Sequence, residues 1–357
     1  MRRNVPADFS SQLRKLLLSA LFLFLAACAG NYEGSAPHLE AIQRQNYSDV
    51  RVMSWNVKLT SILPPDGARH ESFARIVRSI DPDVIGLQEW MLPDQAEVLA
   101  QLMNRYVPLE NGKSWQVHTV ADNALISRFA LRQRSGELLV RYPYPELGLP
   151  DFHYGYAAAL IDIPDHLGGP DIYVVAMHNK SGGGEENLRL RQLQSDAIAR
   201  WLRDLRKPGQ TSLISENTPV VILGDMNVVP SAPMRPFETL LTGDIADEDT
   251  FGPDFGIDWD GTDMADARPG HNGKEESYYT WRDDDLPFPP SALDRIIYTD
   301  SVLSISRRFV LNTTTMSEAE LEELALQKSD VLYGGTTGRY DHLPLVADFT
   351  FQPGTPD

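Results

Sequence analysis

The chain has 357 residues, 42% hydrophobic and 23% charged, enough apolar material for a sizeable core in one large domain or two smaller ones. Its formal charge of −18 argues against a protein that grips nucleic acid through many phosphate contacts, which needs clustered Lys and Arg. With Cys28 as the one cysteine there is no disulfide framework, so the fold must rest on its core.

Arg2, Arg3, Arg14 and Lys15 precede an apolar run from Leu16 to Ala27 that is too short to span a bilayer as a helix, so the N-terminus reads as a secretory signal. Leu25-Ala26-Ala27-Cys28 then resembles the lipobox of bacterial lipoproteins. That resemblance implies cleavage before Cys28 and lipid on its thiol, which excludes thiol catalysis. Ala29 and Gly30, in place of an aspartate, imply delivery to the outer membrane of a two-membrane cell. Loss of residues 1–27 removes four basic residues and one acidic one, leaving a charge of about −21. Residues 28–48 are polar and aperiodic, as suits a lipidated tether, and the folded domain is expected over residues 49–353.

Within the domain, apolar runs rich in Val, Ile and Leu alternate with helical patterns. Strands are expected at Val50 to Val57 and Val84 to Leu87, with helices at Glu71 to Ile80 and Asp94 to Tyr106. Further strands are expected at Tyr156 to Ile163 and Ile172 to Met177, then a helix from Glu185 to Leu205 and a buried strand at Val220 to Leu223. The last third predicts strands at Leu293 to Tyr298, Ser306 to Leu311 and Leu343 to Phe351, and an exposed acidic helix at Ser317 to Gln327. Thr242 to Pro290, rich in Asp, Gly and Pro, reads as a long loop or insertion, and there is no internal repeat. The rhythm is that of an α/β protein.

The ends of these strands carry side chains that a core would not select, where an α/β sheet presents groups to a crevice. Asn56 ends Arg-Val-Met-Ser-Trp-Asn, and Glu89 ends Asp-Val-Ile-Gly-Leu-Gln-Glu; a carboxylate there is either a metal ligand or a helix cap. His178 follows Tyr-Val-Val-Ala-Met, and Lys180 with Gly182 to Gly184 comes next, a combination suited to an anion, with Lys180 a substrate-binding candidate. Arg191, on a helix with acidic neighbours, reads as solvated or structural. Val-Val-Ile-Leu-Gly-Asp-Met-Asn ends a buried strand with Asp225 and Asn227 on one face, able to hold a water and a phosphate oxygen together. Ser-Ala-Leu-Asp-Arg-Ile-Ile-Tyr contributes Asp294, and Tyr-Asp-His-Leu-Pro contributes Asp341 and His342.

In this order, Trp-Asn, Gln-Glu, His, Gly-Asp-x-Asn, Leu-Asp-Arg-Ile and Asp-His-x-Pro, the motifs resemble the endonuclease/exonuclease/phosphatase superfamily over about residues 50–350. The resemblance implies a four-layer α/β sandwich with two central mixed sheets flanked by helices and a cleft at one end of the sheets. It implies a metal site at Glu89 assisted by Asn56 and Asp341, holding Mg²⁺ or alternatively Mn²⁺ or Ca²⁺. Asn227 and His178 would contact the scissile phosphate, Asp294 would orient His342, and Asp225 would act on the attacking water. Histidine at 178 and the Asp-Arg-Ile-Ile segment resemble the deoxyribonuclease branch, in which a second carboxylate orients the histidine; no partner for His178 can be assigned from sequence. The function expected is an extracytoplasmic nuclease or related phosphodiesterase, with a lipid or inositol phosphate phosphoesterase as the second reading and a non-catalytic binding lipoprotein as the third. The partners expected are a phosphate ester, nucleic acid bound without great affinity, and the membrane through the lipid; no protein partner is expected. A nuclease would show a basic groove beside the cleft, and a lipid enzyme exposed apolar loops.

Overall fold

Sequential packing of short buried strands against amphipathic helices organises the chain, as seen in a computed structural model describing residues 37–59, 61–62, 69–90, 96–145, 149–207, 214–229, 232–333 and 339–352. Residues 1–27, read from sequence as a signal, and Cys28 lie outside the described residues. Among the described residues no helix is long and apolar enough to cross a membrane.

After a short helix α1 (Pro37–Ile42), strand β1 (Val50–Asn56) runs parallel to β2 (Val84–Gln88), and both are buried along their whole length. They show no alternation because both faces of a central strand are covered. The connection is helix α2 (His70–Ile80), whose Phe73, Ile76, Val77 and Ile80 share one face; it ends where Asp81 turns left-handed (φ 52°) and its N–H returns to Val77 O. Helix α3 (Ala96–Tyr106) leads to the hairpin β3 (Gln116–Val120) and β4 (Asn123–Ser127). Strands β5 (Leu131–Tyr144) and β6 (Leu149–Ile161) form a long hairpin into β7 (Ile172–His178). Helix α4 (Glu185–Leu205) then carries the chain over to β8 (Val220–Asp225), which is parallel to β7. Helices α5 (Arg235–Thr242) and α6 (Glu248–Phe251), strands β9 (Ala265–Asp266), β10 (Trp281–Asp283), β11 (Asp294–Tyr298) and β12 (Leu303–Val310), helix α7 (Glu318–Glu323), and strands β13 (Arg339–His342) and β14 (Leu345–Phe351) complete the order.

Two six-stranded mixed sheets result, β12-β14-β1-β2-β4-β3 and β5-β6-β7-β8-β11-β9, flanked by helices, with β10 and β13 as a separate ribbon. This is the four-layer sandwich. Each sheet has one parallel pair at its centre, and the four carboxyl ends of those pairs bring Asn56, Glu89, His178 and Asp225 to the same region. The sheets approach closely at Gly86 of β2, where a Cβ would lie 2.0 Å from Leu223 Cδ1 of β8. One core cluster runs through both sheets; a second packs Ile198 and Leu202 of α4 and Phe237 and Leu240 of α5 on the outer face of the β7–β8 sheet.

Residues 116–155 contain three strands and most of a fourth that the sequence pattern does not announce. Strand β5 is the cause in part: as a sheet edge it exposes much of both faces, so its charged Arg132, Arg134 and Glu137 carry no hydrophobic period. The segment read as a patternless loop, 242–290, holds α6, β9 and β10, and β9 extends the sheet edge by pairing with Ile297 and Tyr298. The acidic helix is shorter than its pattern, Glu318–Glu323, and starts on a Ser317–Glu320 capping box.

Candidate active site

The site begins with Asn56, the last residue of β1. Its Nδ2 donates both to Glu89 Oε1 at 3.0 Å and to Asp225 Oδ2 at 3.2 Å, and so joins the ends of the two sheets. Glu89 follows β2 in a left-handed conformation (φ 58°), and its Oε2 accepts from the Leu59 N–H at 3.0 Å. Asp341, also left-handed (φ 50°), accepts from Lys58 Nζ at 3.3 Å. Lys58, Leu59, Ala121 and Asn227 adopt positive φ as well, so half of the twelve such non-glycine residues described surround this one cleft. Each costs of order 1 kcal/mol or more, and such strain collects where side-chain placement matters more than stability.

Two buried imidazoles point at one carboxylate. His178 Nδ1–H donates to Asp122, in the turn between β3 and β4, and His178 Nε2 lies 3.4 Å from Asp225 Oδ2. His342 Nδ1–H donates to Asp294 Oδ2 at 2.8 Å, and its Nε2 lies 3.6 Å from the same Asp225 oxygen. Sheet register fixes both: Asp225 is paired with His178 on one side and Asp294 on the other. The Thr280 hydroxyl, also bonded to Asp294 Oδ2, and the Trp55 Nε1–H on the His342 carbonyl hold the second pair in place.

Burial opposes charge on these groups, and their mutual attraction decides the outcome. For Asp225, burial pushes upward but His342, His178 and the Asn227 N–H outweigh it and bring the carboxyl down to about 2. For His342, burial pulls downward but Asp294 and Asp225 raise it to about 10; Asp122 and Asp225 hold His178 well above its usual value against the same burial. Burial raises Asp122 and Asp294, with the imidazoles opposing.

Glu89 differs. Its carboxyl is raised chiefly by burial and further by Asp341, and among the described residues no Lys or Arg pairs with it. Two carboxylates and the Asn56 amide oxygen at one cleft wall are hard oxygen donors, Asp341 paired with Lys58 and Glu89 with no Lys or Arg among the described residues, which fits a divalent cation such as Mg²⁺. Asp225, Asp294 and His342 also bring ligand atoms within 4.8 Å of one another, but Asp294 Oδ2 is already engaged by His342 Nδ1–H and the Thr280 hydroxyl, and a proton held on the imidazole competes with a metal, so the Glu89 side fits better.

The structure thus gathers Asn56, Glu89, His178, Asp225, Asn227, Asp294, Asp341 and His342. Asn227 donates its N–H to Asp225 Oδ1 at 2.9 Å and its Nδ2 to Asn179 O at 2.9 Å. Lys180 is buried and turned to Tyr144 OH at 2.6 Å, Ser181 O at 2.7 Å and the Tyr142 ring at 4.1 Å, beside Tyr154, whose ring meets His178 edge-on. Sequence reasoning missed Asp122. The available signal was the break at Ala121-Asp122 between the apolar stretches of β3 and β4, which marks a hairpin turn but does not say what its acid faces. Arg191 is buried rather than solvated.

Residues 53–315 match the endonuclease/exonuclease/phosphatase family. The chain belongs to that family. No curated protein matches the sequence. Among solved structures of the same fold are the human Nocturnin catalytic domain with bound sulfate, at 17% identity and a TM-score of 0.50 over 88% of this chain and 99% of that one. Sphingomyelinase C from Streptomyces griseocarneus matches at 15% and 0.50 over 84% and 99%, and a mannosyl-6-phosphatase from Bacteroides thetaiotaomicron at 14% and 0.51 over 85% and 100%. At these identities the likenesses establish the fold. Endonuclease/exonuclease/phosphatase proteins hydrolyse phosphoester bonds, and in this member the two imidazole–carboxylate pairs lie where the ends of both sheets meet.

Proposed function

We propose that the protein is a divalent-metal-dependent phosphodiesterase acting outside the cytoplasm, as a nuclease or on a related diester. The observation that carries this reading is the convergence of His178 Nε2 and His342 Nε2 on Asp225 Oδ2, at 3.4 and 3.6 Å. Two protonated imidazoles flanking one ionised carboxylate offer two donors and one acceptor. That is what a diester needs, since it must take up a water, lose an alkoxide and carry growing negative charge between them.

In this reading Asp225 orients and polarises the attacking water, one of whose protons ends on the departing alkoxide, while His178 and the Asn227 amide donate to non-bridging phosphate oxygens. His342, oriented and charge-stabilised by Asp294, donates on the side opposite His178. Glu89, Asn56 and Asp341 would hold the metal, which supplies a Lewis acid for charge developing on phosphate oxygens. Lys180 adds positive potential from behind the tyrosines. The basic and apolar N-terminal order and Cys28 support export and a lipid anchor, placing the enzyme on a membrane, the outer one in a two-membrane cell.

A second reading, cleavage of a lipid headgroup ester, is favoured by Leu286 and Phe288, 46% and 61% exposed in the loop after β10, whose Trp281 pairs with His342. The two are separated by assaying the chain from Ala29 onward, with Mg²⁺ or EDTA, on plasmid DNA, RNA, sphingomyelin vesicles and bis-p-nitrophenyl phosphate, beside His342→Ala. Metal-dependent cleavage of DNA or RNA that His342→Ala lacks is the expected result. Faster cleavage of sphingomyelin transfers the assignment to lipid, and turnover of no diester refutes both.

A further inference from the structure

Five large apolar side chains stand exposed among the described residues, and three of them, Tyr278, Leu286 and Phe288, flank the short strand β10. Trp281 and Ser291 exchange both backbone hydrogen bonds, at 2.9 and 3.0 Å, and so close a loop that carries Leu286 and Phe288 at its tip. The base of that loop belongs to the active site: Trp281 pairs with His342, and the neighbouring Thr280 hydroxyl bonds Asp294. Pro287, Pro289 and Pro290 fix φ on either side of Phe288, so less conformational freedom is lost when the tip binds.

What covers this tip is indicated by where the N-terminal chain enters. Helix α1 lies along the edge strand β12, to which its Glu40 carbonyl is bonded through Arg307, and its first turn is held by Asn272 Nδ2 donating to His38 Nδ1 at 2.8 Å. The Asn272 N–H in turn donates to Val310 O at 3.0 Å, and Val310 lies across from Leu345, which lies across from Ser54, so α1 starts at the end of the sheet where Asn56 stands. The turn containing Asn272, closed by the His271 N–H on Ser277 O at 2.8 Å, leads directly to Tyr278. Beyond the far end of α1, Arg44 donates to the Asp49 carbonyl at 3.0 Å, at the opposite end of the sheet. The nine residues from Cys28 to Ala36 span at most about 30 Å, less than the roughly 50 Å width expected of a 300-residue domain.

We propose that Tyr278, Leu286 and Phe288 dock on the lipid bilayer that holds Cys28, turning the active-site cleft to the membrane surface. This rests on the export and anchor reading and not on which ester is cleaved. Anchoring makes docking intramolecular, at an effective concentration of millimolar order, so tips of weak intrinsic affinity suffice. Glu275, Glu276, Asp284 and Asp285, all exposed around the tips, set the preference for a zwitterionic bilayer over an anionic one.

The test is co-sedimentation of the chain from Ala29 onward, which keeps every described residue and has no cysteine, with phosphatidylcholine vesicles at millimolar lipid. The expected partition coefficient falls at least tenfold, about 1.4 kcal/mol, when Leu286→Ser and Phe288→Ser are combined, and weakens when phosphatidylglycerol is added. Tyr47→Ser should leave it unchanged, since Tyr47, 71% exposed, precedes β1 at the opposite end of the sheet. A solvatochromic thiol label on Phe288→Cys should shift to the blue with vesicles, and one on Tyr47→Cys should not. Absence of vesicle binding, equal binding by the double variant, tighter binding to phosphatidylglycerol, or a blue shift at both positions overturns the proposal. Self-association through Leu286 and Phe288 without vesicle binding gives the face to a second copy and overturns it too. Palmitate incorporation into the full chain, which Cys28→Ser should abolish, checks the anchor separately: no incorporation refutes the anchor on which docking depends, and incorporation without vesicle binding refutes the docking alone. Neither measurement involves turnover, so diester assays judge the assigned activity independently.

Discussion

Asp122→Asn isolates a contact of the proposed active site that only the fold displays. The substitution keeps the shape and an oxygen acceptor for His178 Nδ1–H but removes the charge from a pair buried on both sides. A hydrogen bond to a charged group is worth about 1.5–3 kcal/mol net, so loss of this one from the transition state should lower kcat about 10- to 200-fold. The effect on stability should be smaller, because Asp122 is itself raised by burial and its neutral replacement relieves that cost. A melting temperature within about 5 °C of wild type is therefore expected. The assay is Mg²⁺-dependent cleavage of bis-p-nitrophenyl phosphate between pH 6 and 9, with the His178 titration followed by NMR, where its pKa should fall in the variant. A variant with kcat within about threefold of wild type and an unshifted His178 would refute the argument that this pair holds the imidazole charged for catalysis.

Three other outcomes follow from the same geometry. His342, raised to about 10 in the fold and near 6.5 when unfolded, contributes stability that is complete below about pH 6.5 and lost as pH climbs through 10; melting curves in EDTA should fall more steeply from pH 7 to 10.5 in wild type than in His342→Gln, and parallel curves would contradict this. Glu89→Gln removes a half-buried carboxylate that forms no ion pair with Lys or Arg among the described residues; its melting temperature in EDTA should match or exceed wild type, while the rise on adding Mg²⁺ expected of wild type should vanish and kcat drop at least 100-fold. Gly86→Ala places a methyl group 2.0 Å from Leu223 Cδ1 between the sheets, so urea denaturation should show a loss of about 1–3 kcal/mol without any change in metal response.

The motif residues were legible because each stands at or just beyond the end, or at the start, of a strand, and the central strands are marked by largely apolar runs. Val52 to Trp55, Val84 to Leu87, Val174 to Met177 and Val220 to Leu223 are all buried, and only a central strand covered on both faces needs such a run. The polar residue that ends each run, Asn56, Glu89, His178 or Asp225, therefore identifies itself, and parallel pairing then sets those ends side by side.

What the sequence could not determine is which side chains meet across elements remote in the chain. His178 and Asp122 are 56 residues apart, and the acid sits in a hairpin turn whose strands leave only short apolar patterns. Arg191 has helical neighbours that read as solvated, yet α4 turns it inward onto the loop after His178, where it is buried with one nitrogen unpaired. Local pattern reports how a segment is covered, because burial of one face leaves a period in the residues. The partner of a charged side chain is set by strand order, register and the close approach of two sheets, and those depend on the whole chain folding at once.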